Sequence, residues 1–101
     1  MKAVQVRYTV KPEYAEQNKA NIRKVMEALK ANPIEGMHYS SFTLNDGQTF
    51  VHINMAKDEE TLAKLNNLPE FLHFRKSLKE SGPVSPPAPT DLHLVAAGFD
   101  L

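Results

Sequence analysis

Between Met37 and Ala56 the chain reads MHYSSFTLNDGQTFVHINMA, two runs of aromatic, β-branched and hydroxyl residues on either side of Asn45-Asp46-Gly47-Gln48. Asp-Gly between strand-like runs predicts a β-hairpin, because both residues accept the backbone of a tight turn at little cost. A two-residue turn at Asp46-Gly47 sets Asn45 opposite Gln48, and every cross-strand pair follows. Leu44 meets Thr49, Phe42 meets Val51, Ser40 meets Ile53 and His38 meets Met55 on one side of the ribbon. Thr43 meets Phe50, Ser41 meets His52 and Tyr39 meets Asn54 on the other.

The flanking segments are read from their periods. Lys2 to Val10 places Val4, Val6, Tyr8 and Val10 in alternation with Ala3, Gln5, Arg7 and Thr9, which predicts a strand. Pro12 suits a first helical turn, and Tyr14, Ile22, Val25, Met26 and Leu29 then recur at helical spacing, so a helix is expected over about residues 13–31. Asn32-Pro33 ends it, because proline disfavours the helical conformation of the residue before it. After the hairpin, Asp58 is an N-cap candidate for a second helical region burying Leu62 and Leu65. Asn66-Asn67 interrupts that region; it resumes near Pro69, buries Phe71, Phe74 and Leu78, and stops at Gly82-Pro83. PVSPPAPT, residues 83–90, is expected to be an extended polyproline-type connector, and without a flanking basic cluster it reads as a spacer rather than an SH3 ligand. DLHLVAAGF, residues 91–99, is expected to be the fourth strand.

Strand, helix, hairpin, helix, strand is the ferredoxin-like βαββαβ order: an α+β domain spanning residues 1–101, with a four-stranded antiparallel sheet and helices on one face. Right-handed crossovers put the first and third strands in the middle of that sheet. The 12 basic and 12 acidic residues cancel and are scattered, so no basic footprint for nucleic acid is present, and no run is apolar enough to span a bilayer. The absence of cysteine removes disulfides, thiolate nucleophiles and thiolate metal sites. No phosphate-binding glycine loop, His-x-His or Glu-x-x-His occurs, so neither a cofactor nor a metal is predicted. The N-terminal alternation lacks the continuous apolar core of a signal peptide, and a cytoplasmic protein is expected.

The row Leu44, Phe42, Val51 and Ile53, joined to Val4, Val6 and Tyr8, is expected to form the layer beneath the helices. The row Tyr39, Ser41, Phe50, His52 and Asn54, with Gln5 and Arg7, is then expected on the open face, where its large rings call for a lid such as a second copy of the sheet. The βαββαβ order, the strand ending before Lys11-Pro12, the hairpin and Leu-Pro-Glu-Phe-Leu-His-Phe at residues 68–74 together resemble the antibiotic biosynthesis monooxygenase family of dimeric α/β barrels. The resemblance implies a homodimer with facing sheets and a small-molecule cavity. It also implies either cofactor-independent oxidation of a small aromatic or oxygenated molecule, or a non-catalytic binding or structural role in the same fold. Several catalytic members use a tryptophan, and this chain has none.

On that open face His52 and Arg7 are the catalytic candidates, since imidazole moves protons near neutral pH and guanidinium holds an anion. Tyr39, Asn54, Phe50, Ser41 and Gln5 are the substrate-binding candidates. The competing expectation is a polar interface hydrogen-bonded between two sheets. His73, flanked by Phe71 and Phe74, is expected at the border of the buried stripe, with haem ligation as the minor alternative.

Overall fold

The computed structural model describes all 101 residues. Strand β1 (Lys2–Thr9) leads through a 3-10 turn at Pro12–Tyr14 into helix α1 (Ala15–Ala31). The hairpin strands β2 (Met37–Thr43) and β3 (Thr49–Ala56) follow, then a short helix α2 (Glu59–Ala63), a 3-10 turn at Lys64–Asn67, helix α3 (Pro69–Glu80) and strand β4 (Ser85–Leu92). The sheet order is β2-β3-β1-β4, all neighbours antiparallel, with β1 and β3 central as the handedness of the crossovers requires. No helix is long and apolar enough to cross a membrane.

Local chemistry accounts for the element ends. Asp58 caps α2 by accepting the Thr61 N–H at 2.8 Å. Gly82 ends the α3 region at φ +68°, a conformation that suits a residue without Cβ, and Pro83 prevents continuation. The hairpin register is that of the sequence reading, pair for pair from His38↔Met55 to Thr43↔Phe50. Its turn is of a different kind. The Gly47 N–H bonds to the Leu44 carbonyl, Leu44 N–H to the Thr49 carbonyl, and Gly47 alone in the loop has positive φ, at +69°. A four-residue loop thus replaces the two-residue turn, with the Asp46 carboxylate accepting from Gln48 N–H, Thr49 N–H and the Thr49 hydroxyl. Because two and four loop residues give the same parity, the register survived the change.

The fourth strand corrects the expected boundary. It runs through Ser85-Pro-Pro-Ala-Pro-Thr-Asp-Leu92, the segment expected to be a spacer, and ends where the strand was expected to be under way. Proline is admissible there because β4 is an edge strand, where missing N–H donors leave no ladder partner stranded. The register slips between Arg7 and Thr9, so that Pro86 and Pro87 together stand against Tyr8 in a bulge. The residues after Leu92 leave the sheet, and the tail returns so that the Phe99 ring stacks on His38 of β2 at 5.6 Å.

The core lies between the sheet and the helices. Tyr8 and Phe50 from the sheet and Val10 just beyond β1 pack with Ile22 and Val25 of α1 and Phe74 and Leu78 of α3, while Met26, Leu29 and Phe71 are half-buried around them. Leu65 is buried as expected, and Leu62 is only half-buried.

Candidate active site

Pairing of β1 with β3 decides which face each residue occupies, and it inverts the expected assignment. Tyr8 stands opposite Phe50, Val6 opposite His52 and Val4 opposite Asn54. Directly opposed residues of an antiparallel pair point to the same side. Val4, Val6 and Tyr8 therefore share a face with Tyr39, Ser41, Phe50, His52 and Asn54, and it is this face that the helices cover. Gln5 and Arg7 pair with Ile53 and Val51 and lie on the opposite, uncovered face; Arg7 is exposed. Five of the seven candidates are thus together, while Arg7 and Gln5 are separated from them by the thickness of the sheet. The register of a tight hairpin fixes parity between its own strands, but α1 and a whole strand separate β1 from β3, and no turn sets their parity.

At the centre is His52, 3 % exposed. Its Nε2 is 2.7 Å from the Tyr8 hydroxyl oxygen and its Nδ1 is 2.8 Å from that of Tyr39, while Ser41 Oγ lies farther off, 3.4 Å from Nε2. Asn18, wholly buried on α1, donates from Nδ2 to the Tyr8 oxygen at 2.8 Å. Rings enclose the group: Tyr8 and Phe74 each have centroids 5.3 Å from His52, Tyr39 lies at 5.7 Å, and Phe50 stacks on Tyr8 at 5.4 Å. Burial pushes the imidazole down to about 4, and it pushes the Tyr8 and Tyr39 phenols up. At neutral pH the cluster is therefore uncharged. Asn18 and Tyr8 were not among the sequence candidates. Tyr8 was legible only as a core residue of an apolar row, and a polar residue on a helix carries no local sign of the strand it reaches.

A cavity of about 780 Å³ opens beside this cluster, between the sheet and α2 and α3. Tyr8, Tyr39, His52 and Asn54 form its polar floor, Phe71, Phe74 and Leu78 its helix wall, and Pro83, Pro86, Pro87 and Pro89 the wall on the β4 side. Proline rings present apolar surface and no N–H, so the β4 wall offers a ligand contact area without backbone donors. Glu59, Arg75 and Lys79 also line it; the Arg75 guanidinium sits 5.6 Å from the centroid of Phe71. Asn54 is 9 % exposed and its Oδ1 has no hydrogen-bond partner. Since a buried acceptor ordinarily finds a donor, a donor on a bound molecule fits that position. Phe50 is buried under Tyr8 rather than lining this cavity, and His73 is exposed on α3. No cluster of three or more His, Cys, Asp or Glu side chains suited to a metal occurs.

No protein-family model and no curated protein sequence matches the chain. Solved structures do. Rv0793 from Mycobacterium tuberculosis superposes with a TM-score of 0.81 over 97% of this chain and 98% of its own, at 19% identity. A protein named an antibiotic biosynthesis monooxygenase gives 0.80 over 95% of this chain and 100% of its own, at 17% identity. The N63A mutant of SnoaB from Streptomyces nogalater, described as a cofactor-independent oxygenase, gives 0.71 over 96% and 95%, at 14% identity. Coverage of both partners from end to end means that the correspondence is of the whole domain and not of one shared motif. The chain has an α+β ferredoxin-like fold of the kind found in the antibiotic biosynthesis monooxygenases.

Proposed function

We propose that the protein is a homodimeric, cofactor-independent monooxygenase-like oxidoreductase that takes a small aromatic or oxygenated molecule into the cavity above Tyr39, His52 and Asn54. The observation that carries this reading is a neutral imidazole held between two tyrosine hydroxyls at the floor of a cavity of about 780 Å³, whose walls combine phenylalanine, leucine and proline with Glu59, Asn66, Arg75 and Lys79. Such a cavity has room for a fused ring system, and Tyr39, His52 and Asn54 come together on its sheet side, a small set of polar groups of the kind that orients a ligand.

The chemistry asked of the residues is modest. Tyr39 meets an oxygen of the substrate and, backed by His52, stabilises negative charge developing there when an adjacent C–H ionises; Asn54 accepts from a substrate hydroxyl. The resulting enolate or phenolate is electron-rich enough to reduce dioxygen itself. A methylene carbon loses a proton, forms a C–O bond to dioxygen, and the peroxide takes up a proton and eliminates water to leave a carbonyl. One oxygen atom enters product and the other leaves as water, so no external reductant is needed. His52 and Tyr39 serve as the catalytic pair, and Arg75 at the wall takes the anion-holding role that sequence gave to Arg7.

The uncovered sheet face supplies the dimer. Val51, Ile53 and Met55 are half-buried there and Phe42 is 55% exposed, an aliphatic surface that a second copy of the sheet would cover. The reading is tested by a thermal-shift screen of hydroxylated aromatic ketones, followed by oxygen uptake with any hit. Labelled dioxygen should place one atom in product, and Tyr39→Phe and His52→Ala should slow turnover. Binding without oxygen uptake would instead support a non-catalytic small-molecule carrier, a reading that the complete absence of tryptophan favours. No stabilisation by any member of the screen would remove both.

A further inference from the structure

The hydrogen-bond inventory around His52 fixes where its proton sits. The Tyr8 oxygen accepts from Asn18 Nδ2 at 2.8 Å, and its only other partner is His52 Nε2 at 2.7 Å. Tyr8 is 1% exposed, so its own hydrogen has one place to go: it is donated to Nε2. That nitrogen is then the unprotonated one, the ring proton is on Nδ1, and Nδ1 donates to the Tyr39 oxygen at 2.8 Å. Tyr39, already an acceptor, keeps a hydrogen for which the protein provides no acceptor, and it borders the cavity. The opposite arrangement would give Tyr8 two incoming donors and strand its hydrogen in the core, which buried hydroxyls avoid. Reversing the Asn18 amide is less favourable than leaving it: as it stands Oδ1 and one N–H lack partners, whereas a flip would leave two N–H groups without them, and a buried orphan N–H is the rarer of the two.

We infer that Asn18 is a positioning residue that, through Tyr8, holds His52 as the Nδ1–H tautomer and so makes Tyr39 a hydrogen-bond donor to the cavity, selecting ligands that present a carbonyl or quinone oxygen. The inference rests on the cavity being a binding site and deepens that reading. It also settles the direction of the pair: at rest the site polarises a substrate oxygen, and the proton released from carbon passes to solvent at the cavity mouth rather than to a free imidazole nitrogen. Asn18 touches neither the cavity nor His52 directly; it acts because it is an obligate donor on one side of a two-bond chain.

The first readout is nitrogen NMR of the wild-type protein labelled in histidine. A protonated Nδ1 and an unprotonated Nε2 at His52 are expected, and the reverse pattern overturns the inference outright. Asn18→Asp is nearly isosteric but, once ionised, can only accept. Tyr8 then turns its hydrogen to the carboxylate, Nε2 becomes the protonated nitrogen and Tyr39 donates inward. With ionisation confirmed by the carboxylate infrared band, the tautomer should switch, and an unchanged tautomer would overturn the inference. Should that variant fail to fold, Tyr8→Phe removes the coupling oxygen and should give mixed tautomers; a pure Nδ1–H signal there also overturns it. The second readout uses two probes of one shape, fluorenone and fluorene. Wild type should prefer the ketone by about tenfold, the worth of one good hydrogen bond, and ionised Asn18→Asp and Tyr39→Phe should both lose that preference. Equal affinities in wild type would overturn the donor assignment. If neither probe binds while the tautomer is as expected, it is the cavity reading that falls and the Asn18 assignment that stands.

Discussion

On the helix side of the sheet stand Tyr8, Tyr39, Phe50, His52 and Asn54, rings and polar groups; on the other side stand Val51, Ile53, Met55 and Phe42, which by hydropathy alone are the better core. The structure buries the first set, Tyr39 in part, and leaves Val51, Ile53 and Met55 half-covered and Phe42 exposed. Hydropathy ranks side chains one at a time, whereas burial here is decided by groups. Asn18, Tyr8, His52 and Tyr39 are hydrogen-bonded in series, so each enters the interior with at least one partner, and the stacked rings fill the remaining volume. On the other face the hydrogen-bonded series from Thr9 through Thr49 to Asp46 lies at the hairpin turn, and Val51, Ile53, Met55 and Phe42 need only an apolar cover.

The sharpest way to break the comparison is to truncate adjacent residues of β1 that point to opposite faces. Tyr8→Ala removes a fully buried ring together with the hub between Asn18 and His52, and should cost about 3–5 kcal/mol in urea unfolding, the range for large aromatic truncations. Arg7→Ala, one position away and exposed, should stay within about 0.5 kcal/mol and leave ligand binding unchanged. Comparable losses would mean that the faces are not so differently built.

How far sequence could have reached this arrangement depends on what joins the strands. The hairpin register, the helix ends at Asn32-Pro33 and Gly82-Pro83, and the strand order were legible because each is set by a few neighbouring residues. The β1 to β3 parity was not, since no turn joins the two strands, and for that reason alone Arg7 and Gln5, expected on the open face and found there, were grouped with the wrong row of the hairpin. Within the hairpin, the row containing Tyr39, Ser41, His52 and Asn54 was assembled correctly and assigned to the wrong side. The prolines of β4 misled in another way: they exclude a central strand but not an edge, and position in the sheet is a tertiary property. Asn18 was invisible because its meaning lies in a partner ten residues earlier on a different element.

The helix face also carries a pH signature that the open face lacks. The His52 imidazole ionises near 4 in the folded protein and near 6.5 in a model peptide, so between those values the unfolded chain binds a proton that the folded one refuses. The stabilising contribution is complete above about pH 6.5 and is lost progressively as the pH falls toward 4, amounting to roughly 3 kcal/mol at the lower end. The carboxylates held low by hydrogen bonds, Asp46 and Asp58, add their own losses only below the ordinary carboxylate range, so the upper part of the window belongs to His52. Chemical unfolding at intervals from pH 7 to 4.5 should show the fall, and His52→Gln should flatten it. A wild-type profile as flat as that of the variant would show that the imidazole is not held neutral.

For the open face the corresponding experiment concerns association. Ile53→Asp puts a charge at its centre without touching the cavity, and should weaken the proposed dimer by about 2 kcal/mol or more, roughly thirtyfold, while binding of a cavity ligand per folded chain is retained. Light scattering across a concentration series reads the first and calorimetry the second. A dimer of undiminished strength would locate the interface on some other surface.

The smallest expected effect concerns the one piece of the chain that already covers part of the open face. Phe99 stacks on His38 with ring centroids 5.6 Å apart while remaining 43% exposed, so the tail is held by a partial contact rather than by burial. Stacked pairs contribute about 0.5–1.5 kcal/mol beyond the area they bury, and a half-exposed pair belongs at the low end. Phe99→Ala should therefore lower the unfolding free energy by about 0.5–1 kcal/mol and leave the His52 pH profile as it was, because the sheet separates the two. Amide exchange should show the residues after Leu92 losing protection while β3, centred on His52, keeps its own. Were β3 protection to fall together with the tail, the two faces would be coupled through the sheet, and the cavity would have to be treated as responsive to whatever covers the other side.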